Sequence, residues 1–283
     1  MQKLVYLMMA SLFVFTACKK DKTQEDNKEN EGGRSADTGL VIHTGIACID
    51  ALANDMVKVQ GGTFVMGSAD DDTDAYNDEK PQHSVTLSDF YICKYEVTQE
   101  LWEAVMGSTP TANGGWTDKY GKGDKYPAYY ISWNDCDTFL QKLNTKTGLK
   151  FRFPTEAEWE YAARGGNKAD TTKYAGSNMI DVVAWHNGNS GNIAHTCGTK
   201  RANALGIYDM TGNVWEWCSD WYSSTYYNES ANSTDPKGPP SRTKCVSRGG
   251  SWHNDARFCR VAYRYCCTPS ARYSNQGFRV VLQ

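Results

Sequence analysis

The chain has 283 residues, of which 40% are hydrophobic, 12% aromatic and 22% charged, and it carries a formal charge of −3. Its mean hydropathy is −0.61 and its isoelectric point lies near 6.0. That length accommodates one large domain or two small ones with a sizeable core. Eight prolines against nine tryptophans and 17 tyrosines exclude a disordered tail or a coiled coil as the bulk of the chain. No basic field is available for polyphosphate, which argues against nucleic acid as the main partner.

Met1 to Lys3 is a short basic start, followed by an apolar run of 14 residues from Leu4 to Ala17. The run is too short to span a bilayer and suits the core of an export signal. Its end, Phe15-Thr16-Ala17-Cys18, resembles the lipobox of bacterial lipoproteins, which implies lipidation of Cys18; ordinary signal cleavage beside an incidental thiol is the alternative. The expected layout is a leader over residues 1–18, a polar tether over 19–39 and one domain over 40–283. The protein would then sit in the cell envelope, attached to a membrane through its lipid and not spanning it.

Within the domain, Met56 to Gln60 alternates as a strand, Gly61-Gly62 turns, and Thr63 to Met66 resumes, which predicts a hairpin. Ala69 to Lys80 is an acidic loop. Ser84 to Leu87 and Phe90 to Lys94 read as further strands. Thr98 caps a helix that Gly107 stops. Ser132 opens a second helix running through Leu143 and closed by Gly148. Thr155-Glu-Ala-Glu158 has capping-box spacing and opens a third through Arg164. Beyond Gly165 the helical period is lost, so the fold class is α+β with a large irregular part.

Ten cysteines are many for a reducing cytosol. Nine follow Cys18: Cys48, Cys93, Cys136, Cys197, Cys218, Cys245, Cys259, Cys266 and Cys267. They show no zinc spacing and no readable connectivity. Cys266-Cys267 is open to three readings: a vicinal disulfide, two exposed thiols, or two contact residues.

Several segments together carry a family resemblance. They are Gly61-Gly-Thr-Phe-Val-Met-Gly67, Tyr95-Glu-Val-Thr-Gln99, Phe153-Pro-Thr-Glu-Ala-Glu-Trp-Glu160, Gly206-Ile-Tyr-Asp-Met-Thr-Gly-Asn-Val-Trp-Glu-Trp217, Arg248-Gly-Gly-Ser-Trp252 and Gly277-Phe-Arg279. In this order they resemble the formylglycine-generating enzyme, or sulfatase-modifying factor, family over about residues 55–283. The resemblance implies a modified C-type-lectin-like fold, without carrying activity over with it. The family's catalyst holds copper through two cysteines and uses oxygen to convert a substrate cysteine to formylglycine. Ser251 and Cys259 match its serine and second cysteine, but Asn254 stands where the first cysteine belongs. An amide oxygen is a poor ligand for soft Cu(I), so copper is not expected, and Cys259 and Ser251 are the only candidates for catalytic residues. A small buried residue or a disulfide partner is the alternative role for Cys259. The related iron-dependent sulfoxide synthases need a histidine triad, whereas His43, His83, His186, His195 and His253 are scattered singly. Asp209, Gly212, Val214 and Glu216 match a calcium site of the family, which implies a structural calcium ion; the alternative is that the two carboxylates cap turns.

From Trp252 onwards a frame of Ala256-Arg257, Cys259-Arg-Val-Ala262, Arg264, Pro269-Ser270, Arg272 and Gly277-Phe-Arg279 is interrupted by His253, Asn254, Asp255, Phe258, Tyr263, Tyr265, Cys266, Cys267, Thr268, Ala271, Tyr273, Ser274 and Asn275. The residue type at each of these thirteen positions can be reached from an asparagine codon by changing only its two adenines. Lys, Glu, Gln, Met and Trp cannot, and none occurs there. These five make up roughly a fifth of ordinary composition, so chance gives such an absence about one time in twenty. The pattern resembles the variable region of ligand-binding proteins diversified by retroelements. It implies a variable segment over residues 252–276, in which Trp252 and the thirteen inserts contact a protein or glycan ligand; the alternatives are an undiversified structural or assembly lipoprotein of the same fold, with Phe258, Tyr263 and Tyr265 as partly buried aromatics, or a formylglycine-generating-type oxidase acting on sulfatase cysteines. Aromatics supply contact area at small entropy cost, and Ser, Asn and Asp supply adaptable hydrogen bonds.

Overall fold

The computed structural model describes residues 33–34, 39–168 and 171–283. Cys18, the leader and most of the expected tether lie outside them. Gly33–Arg34 pairs antiparallel with Val41–Ile42 ahead of two one-turn helices, Ala47–Asp50 and Leu52–Asp55.

Two pairs of neighbouring strands are split between two sheets. Met56–Val59 pairs with Phe90–Cys93, whereas Gly62–Met66 pairs with His83–Leu87. The expected hairpin across Gly61-Gly62 is therefore not formed, and the turn hands the chain from one sheet to the other. Backbone packs against backbone at the crossing: a Cβ on Gly61 would lie 2.3 Å from the Leu87 carbonyl oxygen, and the Gly61 amide donates to Asp89 Oδ1 at 2.8 Å. The first sheet has the order Met56–Val59, Phe90–Cys93, Val281–Leu282, Phe151–Arg152. The second consists of Gly62–Met66, His83–Leu87 and Ser233–Thr234.

The three expected helices form where their caps place them. Gln99–Met106 starts on the Thr98 hydroxyl and stops at Gly107, whose φ is +79°. Trp133–Thr147 begins with a Ser132/Asp135 capping box and ends at Gly148 with φ +70°. Glu156–Ala163 begins with a Thr155/Glu158 box, and all eight of its residues are buried. A helix buried all round cannot reveal a polar face, and its glutamates must find partners inside the protein.

The region beyond Gly165 is less irregular than its sequence suggests. Trp215–Trp221, Cys245–Arg248, Tyr265–Cys267 and Gln276–Gly277 form a third sheet, in the order Tyr265–Cys267, Cys245–Arg248, Trp215–Trp221, Gln276–Gly277. Trp215–Trp221 is buried on both faces along most of its length, which erases the two-residue alternation that marks a strand. Gln276–Gly277 runs parallel to it, a pairing that no local turn could signal.

Asp220 of this strand is buried, and its Oδ2 accepts from the Glu156 amide and the Ser219 hydroxyl, both at 2.9 Å. Burial, with the Glu156 charge second, raises its pKa to about 7. An acid whose pKa is raised in the folded state is ionised first in the unfolded chain, so this group costs stability progressively from about pH 4 to 7 and fully above that. Asp220→Asn keeps an acceptor for both donors and removes the titration. We expect its melting temperature relative to the parent to rise by several degrees between pH 4 and 8. A difference that stays flat across this range would show that Asp220 does not titrate there.

Candidate functional site

Four of the five arginines of the C-terminal frame, Arg260, Arg264, Arg272 and Arg279, pair with a carboxylate, and the fifth, Arg257, is exposed against the Phe258 ring. Arg264 donates from Nε and Nη2 to Glu156 at 2.6 and 2.8 Å, and from Nη1 to the carbonyls of Asp78 and Ser223. Arg248 reaches both Glu156 and Glu160 and donates to the carbonyls of Val261 and Ala262. Arg260 forks onto Glu79 through two bonds of 2.7 Å. Arg279 forks onto Glu216, also at 2.7 Å, and donates to the Cys93 and Tyr208 carbonyls. Arg272 makes the same fork to Asp135 at the exposed rim. These bidentate pairs fix backbone position as well as balancing charge.

The interrupting residues face the other way. His253, Asp255, Tyr265, Thr268 and Tyr273 are exposed; Asn254, Phe258, Tyr263, Cys266, Ala271, Ser274 and Asn275 are half-buried. Two of the expected contact residues are corrected by burial. Trp252 is 4% exposed and packs on Ala194, Val214 and Tyr120, and Cys267 is 5% exposed in the core. They support the surface from beneath. Cys266 and Cys267 lie in an extended ladder that sends their side chains to opposite faces, so the vicinal disulfide is not formed.

The surface also recruits residues from elsewhere in the chain. Tyr263 meets Tyr76 of the acidic loop, Phe258 and Trp215 at centroid distances of 5.5, 5.2 and 5.9 Å, and Trp215 stacks on Tyr265 at 5.1 Å. Arg257 lies 4.5 Å from the Phe258 ring centroid. Tyr76, Tyr265 and Tyr273 are half of the large hydrophobic side chains left exposed among the described residues. Tyr130 holds a φ of +56°, costly for a bulky residue, while its amide donates to the Tyr273 carbonyl at 2.9 Å. No sequence motif singles out Tyr76, Trp215 or Tyr130, because their role exists only through distant packing.

Ser251, Asn254 and Cys259 come together as their alignment suggests. The Ser251 hydroxyl donates to Asn254 Oδ1 and accepts from Asn275 Nδ2 at 2.9 Å. Cys259 Sγ lies 4.0 Å from the Ser251 carbonyl oxygen and so close to Gly250 that a Cβ there would approach it to 2.4 Å. Burial pushes the Cys259 thiol up to about 12. It is thus a packed, protonated thiol beside an amide.

Around Glu216, two further carboxylates, Glu96 and Asp209, are buried near Arg279. Glu96 accepts from Asn213 Nδ2, the Val214 amide and the Cys197 thiol. Its carboxyl is raised by burial and then by the charges of Asp209 and Glu216. Asp209 Oδ2 accepts from the Gly198 amide at 2.6 Å, whereas its buried Oδ1 has no hydrogen-bond partner.

The sulfatase-modifying factor enzyme 1-like domain matches residues 49–283. The chain belongs to the sulfatase-modifying factor family. It is 32% identical to the chaperone protein LppX of Paenibacillus barcinonensis, covering 81% of this chain and 90% of that one. It is 31% identical to the formylglycine-generating enzyme of Thermomonospora curvata, covering 81% and 93%. Among solved structures it superposes on Treponema denticola variable protein 1 with a TM-score of 0.71 and 32% identity, covering 80% and 94%. The expected C-type-lectin-like fold of the formylglycine-generating type is thereby established.

The family's calcium positions fit a cation unevenly. Asp209 Oδ1 is a buried charged oxygen in need of a partner, whereas Arg279 and the Trp159 indole N–H already engage both oxygens of Glu216. Among the described residues no three His, Cys, Asp or Glu side chains are grouped to hold a metal. A calcium ion would therefore depend on Asp209 and on the carbonyls of Gly212 and Val214, with Glu216 contributing what Arg279 leaves free.

The division between buried frame and outward inserts predicts opposite sensitivities. Tyr265→Ser and Tyr273→Ser should each change unfolding free energy by less than about 0.5–1 kcal/mol. Arg264→Ala should cost about 3–5 kcal/mol, because it removes the bidentate partner of Glu156 and leaves that buried carboxylate with a single, longer arginine contact, to Arg248. Urea titrations of the three variants check this; comparable losses in all three would mean that the inserts are part of the core.

Proposed function

We propose that this member of the family is a lipid-anchored envelope protein that binds a protein or glycan ligand on the surface formed by His253 to Asn275 and has no catalytic role. The observation that carries the reading is the partition just described: Arg260, Arg264 and Arg279 close onto buried carboxylates, while twelve of the thirteen inserts are exposed or half-buried and the aromatic ones join a strip of rings. A surface of Tyr, Phe, His, Asn and Ser on a rigid support has the composition of a binding site whose contacts can be exchanged without loss of fold. The likeness to Treponema denticola variable protein 1 supports diversification of this segment by a retroelement. Cys18 is the proposed lipid attachment point.

The absence of a catalytic role is inferred from chemistry. Formylglycine generation in this family needs two thiolates, and position 254 supplies an amide that is committed to the Ser251 hydroxyl. The remaining thiol is buried and protonated, the opposite of a reactive microenvironment.

Purified protein screened against immobilised glycans and envelope proteins should yield a ligand whose binding falls at least tenfold in Tyr265→Ser/Tyr273→Ser. In parallel, Cu(I), oxygen and a cysteine-containing sulfatase peptide should give no aldehyde. Aldehyde formation, or binding insensitive to both tyrosines, would overturn the proposal.

Calcium belongs to the same proposal as a structural ion near Asp209. Millimolar calcium should raise the melting temperature above that in chelator, by mass action on the folded state. Asp209→Asn should abolish that response. Identical melts of the parent protein in calcium and in chelator would remove the ion.

A further inference from the structure

We propose that Cys245 and Cys267 form a cross-strand disulfide that ties the strand preceding the proposed ligand-binding segment to the strand within it. In the antiparallel pairing of Cys245–Arg248 with Tyr265–Cys267, Cys245 lies directly opposite Cys267. Directly opposed residues share a face, with Cα atoms about 4.5–5.5 Å apart. This falls inside the roughly 4.4–6.8 Å range that a disulfide spans. Both side chains are buried in the same apolar cluster.

The neighbouring thiols do not compete for either partner. Cys266 is opposite Val246, so it points to the other face of the sheet. Cys218, on the adjacent strand, packs into a different cluster. Cys267 is itself one of the residues that interrupt the arginine frame, so this particular insertion creates the pair.

The reaction needs a disulfide-bearing oxidant. One cysteine loses its proton and attacks the oxidant's S–S bond, expelling a thiolate. The second then attacks the mixed disulfide and expels the other. Two protons and two electrons leave the cysteines, and the oxidant's S–S bond takes up the electrons as two thiols. Burial raises the Cys245 thiol to about 12 and the Cys267 thiol to about 11. Exchange is therefore slow in the folded protein, and the bond forms fastest while the strands are still pairing.

The bond encloses the 21 residues from Val246 to Cys266. It limits the unfolded chain and holds the base of the segment, so the oxidised protein should melt about 5–10 °C above the reduced one. The full chain, refolded with oxidised and reduced glutathione and alkylated without reduction, is digested with trypsin. The expected product joins Cys245–Arg248 to Tyr265–Arg272 and is two hydrogens lighter than the two peptides together. The Cys266→Ser variant should give the same link and Cys267→Ala should not. Recovery of Cys245 and Cys267 as alkylated thiols in the parent protein, or a link through Cys266, would overturn the proposal. This readout does not depend on whether the segment binds a ligand, so the two readings fail separately.

Discussion

Glu156 and Glu160, one turn apart on a wholly buried helix, are the counter-ions around which the domain is assembled. Arg248 comes from the central part of the third sheet and Arg264 from the segment leading to its edge, and both close onto this pair. Placing such charges in the interior costs several kcal/mol per ion and is tolerated only where the geometry satisfies nearly every donor and acceptor. The carbonyls of Asp78, Ser223, Val261 and Ala262 take up further guanidinium donors, and only the buried Nε of Arg248 is left without a partner in this pair of arginines. The helix, the acidic loop and the C-terminal segment are thus fixed relative to one another by groups that have no acceptable alternative partners. Apolar contacts alone would leave the position of each loop less determined, since hydrophobic burial is not directional.

That arrangement explains how a long non-helical segment can be both well placed and open to change. Arg260, Arg264 and Arg272 anchor it at Glu79, Glu156 and Asp135, and between these anchors only Val261, Ala262 and Cys267 are buried. Tyr263 and Tyr265 lean on Trp215, a side chain of the sheet, so even the exposed aromatics rest on fixed structure. The same scaffold in the formylglycine-generating relatives supports chemistry. Here Gly250 allows the Cys259 sulfur to pack against the main chain of the Ser251 to Cys259 stretch.

Much of the architecture was legible from the residues. Thr98, Ser132 and Thr155 start helices and Gly107 and Gly148 stop them, because caps act locally and leave a local signature. The Gly61-Gly62 turn was misread as a hairpin. Two short alternating runs around a turn look the same whether they pair with each other or with strands some 30 residues later. The third sheet was missed because Trp215–Trp221 is buried along most of its length and its two partner strands begin 24 and 55 residues beyond Trp221. At the surface, the inserted residues stood out by their types, whereas Trp252 and Cys267 could be told from contact residues only by burial. The unpaired oxygen of Asp209 and the bidentate hold of Arg279 on Glu216 are likewise facts of three dimensions.

The position of Val281–Leu282 has a consequence for biosynthesis. This strand sits between Phe90–Cys93 and Phe151–Arg152, so the first sheet is interrupted until residues beyond the C-terminal segment become available. Gln276–Gly277 completes the third sheet in the same way. The nascent chain therefore cannot reach its folded state vectorially, and must hold its apolar strands unclosed until the whole segment has been made. A substitution in that segment is therefore tested by folding itself: only one that lets the last strands return to their places yields a stable molecule.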